Sequence, residues 1–153
     1  MFGAGRIAPL HARTLKGSSE VTAISITDAV PERASQIAAD LGLEHVPSAD
    51  AAMDAADAVV IVAATDAHAV LIRAALAREL PTFCEKPLAA TLAESASLAA
   101  EIDDASAPVQ VGFQRRFDPA YVEARRLIES GLRRSRRSIN NTRAGVHDGS
   151  LIF

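Results

Sequence analysis

Three small residues near the start of the chain have the spacing of a phosphate-binding turn. Gly3, Gly5 and Ala8 form a Gly-x-Gly-x-x-Ala pattern that leads from a predicted strand into a predicted helix. In such a turn the first glycine allows the tight reversal, the second lets the backbone approach a pyrophosphate, and the third small residue packs helix on strand. The free N–H groups and the positive dipole end of the helix attract the phosphates. The pattern therefore predicts a dinucleotide site.

An acidic residue, Asp28, lies 20 positions after Ala8, where the second strand is predicted to end. Its carboxylate can accept hydrogen bonds from the ribose hydroxyls of an adenosine, and its charge would repel a 2′-phosphate. This favours NAD over NADP, although Arg33 nearby keeps NADP open. The alternative is that Asp28 simply begins a turn, as aspartate commonly does.

An acidic and a basic residue directly follow a predicted strand that ends at Cys84. Glu85 and Lys86 are succeeded by Pro87, which stiffens the loop. We predict that Lys86 hydrogen-bonds a substrate hydroxyl and stabilises the alkoxide character that develops as hydride leaves, while Glu85 orients it. The alternative is a surface ion pair that contributes about 0–1 kcal/mol.

Thr65 follows the most apolar predicted strand at its carboxyl end, which is the edge where doubly wound sheets place their ligands. It is predicted to line the cofactor site, and as an alternative or in addition it is the N-cap of the next helix. His68 lies one turn further on. Taken alone, His68 is predicted to be a solvated helix residue.

The elements that would position these residues alternate between strand and helix. This order is typical of the α/β class, with a doubly wound, Rossmann-like parallel sheet covered on both faces. The predicted strands cover residues 21–26, 45–46, 58–63, 81–84 and 109–113. The predicted helices cover residues 7–15, 31–41, 51–55, 67–79, 91–103 and 118–130.

Several residues predict where these helices begin and end. Gly42 is expected to stop the second helix, and Thr65 or Asp66 to cap the fourth. Thr91 and Glu94 have the spacing of a capping box. Asp118 is expected to be the N-cap of the last helix, whose first turn holds a proline and which ends before a glycine.

The first strand of this sheet is truncated in the sequence, because only Met1 and Phe2 precede Gly3. In the strand order 3-2-1-4-5-6 the first strand is central. We therefore expect two inner strand edges to lack a partner, at a cost of about 1–3 kcal/mol for each buried unpaired backbone group.

Composition sets the protein class. A length of 153 residues predicts one domain, and an apolar fraction of 49% is enough for a globular core. No secretory segment is present and no apolar run approaches the roughly 20 residues of a membrane helix, which predicts a cytoplasmic protein without a membrane partner. Cys84 is the single cysteine, and the histidines have no ligand spacing, so no metal site is predicted. These histidines are His11, His45, His68 and His147.

The last 22 residues differ from the rest of the chain. Residues 1–131 hold 11 Lys and Arg against 18 Asp and Glu, whereas residues 132–153 hold five Arg against Asp148 alone. This basic tail has no helical or strand period and is predicted to be poorly ordered. Its arginines could contact phosphates, but no aromatic residue interleaves them and the rest of the chain is acidic, so no nucleic-acid partner is expected.

Five segments together resemble the family of glucose–fructose oxidoreductase, inositol dehydrogenase and MocA (Gfo/Idh/MocA), over residues 1–131. The Glu85-Lys86-Pro87 element is its most specific part, and the Arg-Arg-Phe-Asp-Pro stretch is similar to the inositol 2-dehydrogenase branch. The segments are Gly3–Ala8, Asp28, Thr65–His68, Cys84–Leu88 and Val111–Tyr121.

The resemblance implies an oxidoreductase that transfers hydride from a CH–OH group of a sugar or a cyclic polyol such as inositol to NAD, and a role for each matching residue. The glycine-rich turn would bind the pyrophosphate and Asp28 the ribose, while Lys86 would meet both cofactor and substrate. The residues expected at the pyrophosphate are Gly3, Ala4, Gly5, Arg6 and Ile7. Those expected at the nicotinamide end are Thr65, His68 and Glu85. Gln114 and Arg115 are expected near the substrate, with capping of the following helix as the alternative role.

The chain also departs from that family. Members carry a second, larger domain with the substrate wall, a general acid–base His near an Asp, and the oligomer interface. We expect a dinucleotide-binding domain over residues 1–117, a helix leading to the absent second domain over 118–131, and an unrelated tail over 132–153. A late start codon and a frameshift or truncated gene would explain the two ends. The isolated chain is then expected to bind dinucleotide but not to turn over a polyol.

A second hypothesis stays open at this point. The chain could be a non-catalytic nucleotide-binding or regulatory module that uses only this domain. Both hypotheses predict NAD binding, and they differ in whether Lys86 takes part in a reaction.

Overall fold

Short parallel strands alternate with helices along the part of the chain that the computed structural model describes, residues 1–131. The strands are β1 (Ser25–Ile26), β2 (Glu44–His45), β3 (Val59–Ile61), β4 (Thr82–Cys84) and β5 (Val109–Val111). The helices are α1 (Ala8–Lys16), α2 (Pro31–Leu41), α3 (Ala49–Asp54), α4 (Thr65–Leu76), α5 (Leu92–Asp103) and α6 (Pro119–Glu129). Every predicted element is present; β2 has its predicted length, one residue earlier in the chain, and the other strands are shorter than predicted. The predicted poorly ordered tail over residues 132–153 lies outside the described residues.

All strand pairs are parallel. β1 pairs with β2, and β3, β4 and β5 pair in that order. Phe2 forms one parallel bridge to Thr27 and another to Ile61, so it joins the two groups of strands. The resulting order, with Phe2 between β1 and β3, is the predicted doubly wound order.

The expectation that both inner edges lack a partner is wrong at the carboxyl end of the sheet. Phe2 donates its N–H to the Val60 carbonyl and accepts from the Val62 N–H, both at 2.8 Å. On the other side, Gly3 donates to the Thr27 carbonyl at 2.9 Å and Met1 accepts from the Thr27 N–H at 3.0 Å. Three residues therefore close the sheet beside the predicted site, because each strand residue has hydrogen-bonding groups on both sides.

Helix boundaries mostly follow the predicted signals. Gly42 ends α2 in the left-handed conformation, with φ of 62°. The Thr91 side chain accepts a hydrogen bond from the Glu94 N–H at the start of α5, as the capping box predicts. The predicted cap of α4 is wrong: Thr65 is its first helical residue, and Ala64 precedes it without a side-chain cap.

Apolar side chains cover the sheet on both faces. Along β3, Val59 and Ile61 belong to one buried cluster, while Val62 and the partly buried Val60 belong to the other. The first cluster includes side chains of α3, α4 and α5, and the second includes side chains of α1 and α2. This alternation follows from the two-residue period of a strand and explains why the apolar run of β3 is nearly continuous.

Residues 1–112 form one compact unit, and a second unit begins at Phe113. In the second unit a short 3-10 helix (Gln114–Phe117) precedes α6, whose N-cap Asp118 accepts a hydrogen bond from the Ala120 N–H at 2.9 Å. The predicted cap at Asp118 is confirmed. Across residues 1–131, none of the helices has the length and apolar character needed to span a bilayer.

Candidate functional site

The glycine-rich turn joins Phe2 to α1 at the carboxyl edge of the sheet. Gly3 has a φ of 107°, and a Cβ atom there would lie 2.5 Å from the backbone nitrogen of Ala63. Both observations require glycine. At Gly5 a Cβ atom would meet nothing within 4 Å. The space in front of Gly5 is thus open to a ligand.

The same turn presents unused hydrogen-bond donors. Among the described residues, no acceptor faces the backbone N–H groups of Gly5, Arg6 and Ile7. They lie at the beginning of α1, which has no side-chain cap and no acidic residue in its first turn. Free N–H groups at a helix start attract anions. The turn therefore fits the pyrophosphate of a dinucleotide.

Asp28 lies beside this turn and is bound to it. Its Oδ2 accepts the Ala4 N–H at 2.6 Å, and its Oδ1 accepts the Val30 N–H at 2.8 Å. The alternative role, a turn-forming aspartate, is thus present in the Val30 bond. Because each carboxylate oxygen has a second lone pair, the side chain can also accept bonds from a diol. Ala4 uses its N–H to hold Asp28, so Ala4 supports the turn rather than offering a donor to a phosphate.

Glu85 and Lys86 leave the sheet two strands away, at the same edge. The Glu85 N–H donates to the Ile61 carbonyl at 2.9 Å, which continues the β3–β4 pairing, and the Glu85 carboxylate accepts the Lys86 N–H at 3.2 Å. The Lys86 side chain is exposed, and its ammonium group forms no ion pair with any residue among 1–131. The Lys86–Pro87 peptide bond is cis. The alternative role of Glu85 and Lys86, a surface ion pair with each other, is not found within residues 1–131. Glu85 instead pairs with another side chain.

The partner of Glu85 is His11, a residue that sequence reasoning missed. His11 Nε2 lies 2.9 Å from Glu85 Oε1, and its ring lies 5.5 Å from the Phe83 ring. His11 is one residue before the buried Ala12 of α1, so it stands at the border of the face that packs on the sheet. Helical spacing could have placed it near the sheet, but a contact with Glu85, 74 residues away, depends on tertiary structure.

Thr65 and His68 lie in the first turn of α4, which begins shortly after β3 ends at Ile61. Thr65 is half-buried, whereas His68 is 1% exposed. The interpretation of His68 as a solvated helix residue is therefore wrong. Its Nδ1 lies 2.8 Å from the Pro87 carbonyl and its Nε2 lies 3.1 Å from the Ala63 carbonyl. His68 thus contacts the loop that holds Lys86, and its own role toward a cofactor stays a prediction.

Cys84 ends β4 beneath this loop. Its side chain is fully buried, and burial, with a smaller contribution from the Glu85 charge, raises the pKa of its thiol from 9.0 to about 12. A thiol of that pKa is a poor nucleophile at neutral pH. The structure agrees with the predicted packing role of Cys84.

Gln114 and Arg115 lie in the second unit, in the 3-10 helix. Both are exposed. Arg115 donates a hydrogen bond to the Tyr121 hydroxyl of α6, and its guanidinium carbon lies 5.1 Å from the centroid of the Tyr121 ring. Asp118 provides the helix cap, so the alternative capping role of Gln114 and Arg115 is wrong. Within residues 1–131, His, Cys, Asp and Glu side chains do not gather in groups of three or more that could hold a metal ion.

Comparison with known proteins assigns this arrangement to a family. The family described as "Oxidoreductase family, NAD-binding Rossmann fold" (GFO_IDH_MocA) matches residues 1–113. The chain belongs to this family. Membership confirms the resemblance, the Rossmann-like fold and the NAD-binding type of domain that the glycine pattern predicted.

Relatives with assigned activities include inositol dehydrogenases. The chain is 38% identical over 133 residues to inositol 2-dehydrogenase of Rhizobium meliloti, and 36% identical over 135 residues to scyllo-inositol 2-dehydrogenase (NAD(+)) of Bacillus subtilis. Each match covers 86% of this chain and 40% of the relative. The chain thus spans 40% of the length of these relatives.

A solved structure has the same fold. Myo-inositol dehydrogenase from Lactobacillus casei, in complex with NAD(H) and myo-inositol, matches with a TM-score of 0.78 and 26% identity. The match covers 86% of this chain and 40% of that one.

Proposed function

We propose that this chain binds NAD through the turn from Gly3 to Ile7. The observation that carries the proposal is the set of unpartnered N–H groups of Gly5, Arg6 and Ile7 at the start of an uncapped helix, with open space in front of Gly5. Phosphate oxygens would accept these donors, and the helix dipole would favour their charge. The open space lets a pyrophosphate approach the backbone closely.

Asp28 is proposed to bind the adenosine ribose and to favour NAD over NADP. Its two backbone hydrogen bonds fix the carboxylate beside the turn, so little side-chain entropy is lost when a diol binds. A 2′-phosphate at the same place would bring like charges together. We expect NADP to bind more weakly than NAD.

Lys86 is proposed as the catalytic residue, with Glu85 beside it at the nicotinamide end. When bound, NAD supplies the acceptor for a hydride. The exposed Lys86 ammonium donates a hydrogen bond to a substrate hydroxyl and stabilises the negative charge that develops on its oxygen. Thr65 is proposed to line the same end, since α4 begins at Thr65 shortly after β3 ends at Ile61.

The proposed reaction is the oxidation of a CH–OH group in a cyclic polyol or sugar to C=O, in which the hydride would pass to NAD and the hydroxyl proton to a base in a further domain. Its support is the similarity to inositol 2-dehydrogenases, together with the exposed ammonium group at the cofactor edge. Because those relatives are longer, we propose that turnover takes place in a dehydrogenase with a further domain, where Gln114 and Arg115 approach the polyol. We also propose that such a dehydrogenase acts as a homo-oligomer in the cytoplasm, with no nucleic-acid partner.

Calorimetric titration of the chain with NAD tests the binding proposal. We expect saturable binding, at least about tenfold weaker binding in Gly5→Val, whose side chain would fill the open space, and weaker binding in Asp28→Ala. The matched control is Arg13→Ala, which removes a positive charge from α1 away from the turn. No heat with millimolar NAD from a folded sample would contradict the proposal.

A chimera tests the catalytic proposal and the regulatory alternative. It joins residues 1–131 of this chain to the rest of the Rhizobium meliloti inositol 2-dehydrogenase. We expect NADH formation from myo-inositol, and a loss of at least about a thousandfold in Lys86→Ala, since Lys86 stabilises the developing charge. Lys16→Ala, which alters the only other lysine that this chain contributes to the chimera, is the control. Full activity of Lys86→Ala would remove Lys86 from the mechanism.

A further inference from the structure

The residues on either side of Lys86 are both held by histidines, and the two histidines come from different helices. His11 of α1 contacts the Glu85 carboxylate, and His68 of α4 contacts the Pro87 carbonyl. Lys86 itself has an exposed side chain whose ammonium group has no ion-pair partner in residues 1–131. The position of Lys86 is therefore set through its neighbours.

Neighbouring groups hold the Glu85 carboxylate in its contact with His11. The Glu85 carboxylate uses Oε1 toward His11 and Oε2 toward the Lys86 N–H. Gly112 leaves room for it, since a Cβ atom there would lie 3.4 Å from Glu85 Oε2. A carboxylate that is hydrogen-bonded on both oxygens has few accessible rotamers. The Glu85 carboxylate therefore links His11 of α1 to the backbone of Lys86.

His68 makes the second connection from inside the protein. Both ring nitrogens face carbonyl oxygens, of Pro87 at 2.8 Å and of Ala63 at 3.1 Å. A neutral imidazole has one N–H and can satisfy one of these oxygens at a time, whereas the doubly protonated ring satisfies both. In either state the buried ring lies between the end of β3 and the Lys86 loop.

Each histidine links the Lys86 loop to the glycine-rich turn. His11 belongs to the helix whose first turn offers the free N–H groups, and the backbone of Ala63 is the surface against which Gly3 packs. We propose that His11 and His68 are positioning residues that fix the distance between Lys86 and the glycine-rich turn. This inference rests on the proposed function of the turn and of Lys86, and goes beyond it by assigning two residues that act through Glu85 and Pro87.

The chain offers a direct readout, because Lys16 and Lys86 are its only lysines. With 13C-labelled lysine, NMR resolves one Cε signal from each. The Lys86 signal reports the environment of the Glu85–Pro87 loop, and the signal of Lys16, at the end of α1, is the internal control. A role confined to general stability would alter the melting temperature without a selective change at Lys86.

Four variants separate the two contacts. His11→Leu removes the bond to Glu85, whereas His11→Gln keeps a nitrogen near the Nε2 position. His68→Gln keeps a nitrogen near Nε2, toward Ala63, whereas His68→Asn keeps one near Nδ1, toward Pro87. His45→Gln is the control, because His45 lies on β2, which pairs with β1 and not with β4.

We expect His11→Leu and His68→Gln to shift the Lys86 signal in the cofactor-free chain and to weaken NAD binding about tenfold, in line with the loss of one charge-assisted or buried hydrogen bond. We expect His11→Gln and His68→Asn to recover most of both effects. Lys16 and the His45→Gln variant are expected to stay unchanged.

An unchanged Lys86 signal in His11→Leu, or no recovery in His11→Gln, would overturn the assignment of His11. For His68 a second measurement needs no substitution: its ring N–H is expected to exchange slowly with solvent, and fast exchange would overturn its assignment. If the unaltered chain shows no response to NAD, the proposed function fails, while the cofactor-free lysine spectra still decide the positioning roles.

Discussion

Two loops at the same edge of the sheet are held in different ways. The first, from Gly3 to Ile7, is shaped by the backbone: a positive φ, a close approach to Ala63, and one hydrogen bond from Ala4 to Asp28. The second, from Glu85 to Pro87, is held by side chains that reach it from α1 and α4. The first loop is therefore shaped by main-chain geometry at the edge of the sheet, whereas the second depends on side chains from two distant helices.

The two loops differ in which substitutions disrupt them. The first loop is disrupted when a Cβ atom is added at Gly3, since the neighbouring main chain at Ala63 cannot move aside. A loop held by side chains tolerates more substitutions, since a side chain of similar reach can replace another.

The largest effect concerns Cys84, which lies directly under the second loop. Alkylation by iodoacetamide at pH 7.5 is expected to be about a thousandfold slower in the folded chain than in urea, because burial raises the pKa of this thiol from 9.0 to about 12. Between these two values the unfolded chain releases the thiol proton and the folded chain retains it, so stability falls as pH rises above 9.0.

The alkylation rate also decides whether the second loop is closed. A folded-state rate within tenfold of the unfolded one would mean that β4 and the Glu85–Pro87 loop open locally. That result would make the second loop far weaker than the first.

Gly3→Ala is expected to destabilise the fold by at least about 3 kcal/mol, measured by urea unfolding. The added Cβ would lie 2.5 Å from a backbone nitrogen, at a residue whose φ of 107° already disfavours a side chain. Gly5→Ala is the matched control, since its Cβ would meet nothing within 4 Å and the fold should stay intact. Equal stability of the two variants would contradict the backbone account of the first loop.

Asp28→Ala is expected to destabilise the chain by about 2 kcal/mol, because the Ala4 and Val30 N–H groups lose a charged acceptor. The loss should be smaller in Asp28→Asn, which keeps one acceptor oxygen. Urea unfolding measures both. A change below about 0.5 kcal/mol in Asp28→Ala would show that water replaces the carboxylate without cost.

Gly112→Ala is expected to have the smallest effect, about 1 kcal/mol, and to act on the second loop. Its Cβ would lie 2.9 Å from the end of the Phe83 ring and 3.4 Å from Glu85 Oε2, and both side chains can shift. The Lys86 Cε signal should move while that of Lys16 does not. Gly17→Ala, with neighbours no closer than 3.4 Å, is the control. A loss as large as that of Gly3→Ala would erase the contrast between the loops.

Much of the secondary structure and the glycine spacing of the first loop could be predicted because their determinants are close together in sequence. The Gly3–Ala8 spacing, the left-handed end of α2 at Gly42, the caps at Thr91 and Asp118 and the apolar run of β3 each depend on a few consecutive residues. The physical causes are a conformation that glycine adopts without strain, a side chain that reaches an adjacent N–H, and the two-residue period of a strand.

Contacts between groups far apart in sequence could not be predicted, because they depend on how the elements pack together. The tertiary structure made Phe2 a bridge between β1 and β3, joined His11 to Glu85 and buried His68 between Ala63 and Pro87. A histidine on a helix has the same local signature whether it faces water or a carbonyl oxygen. These two cases differ in how two helices pack on the sheet. The free energy of that packing depends on residues from many parts of the chain, so no short segment reveals it.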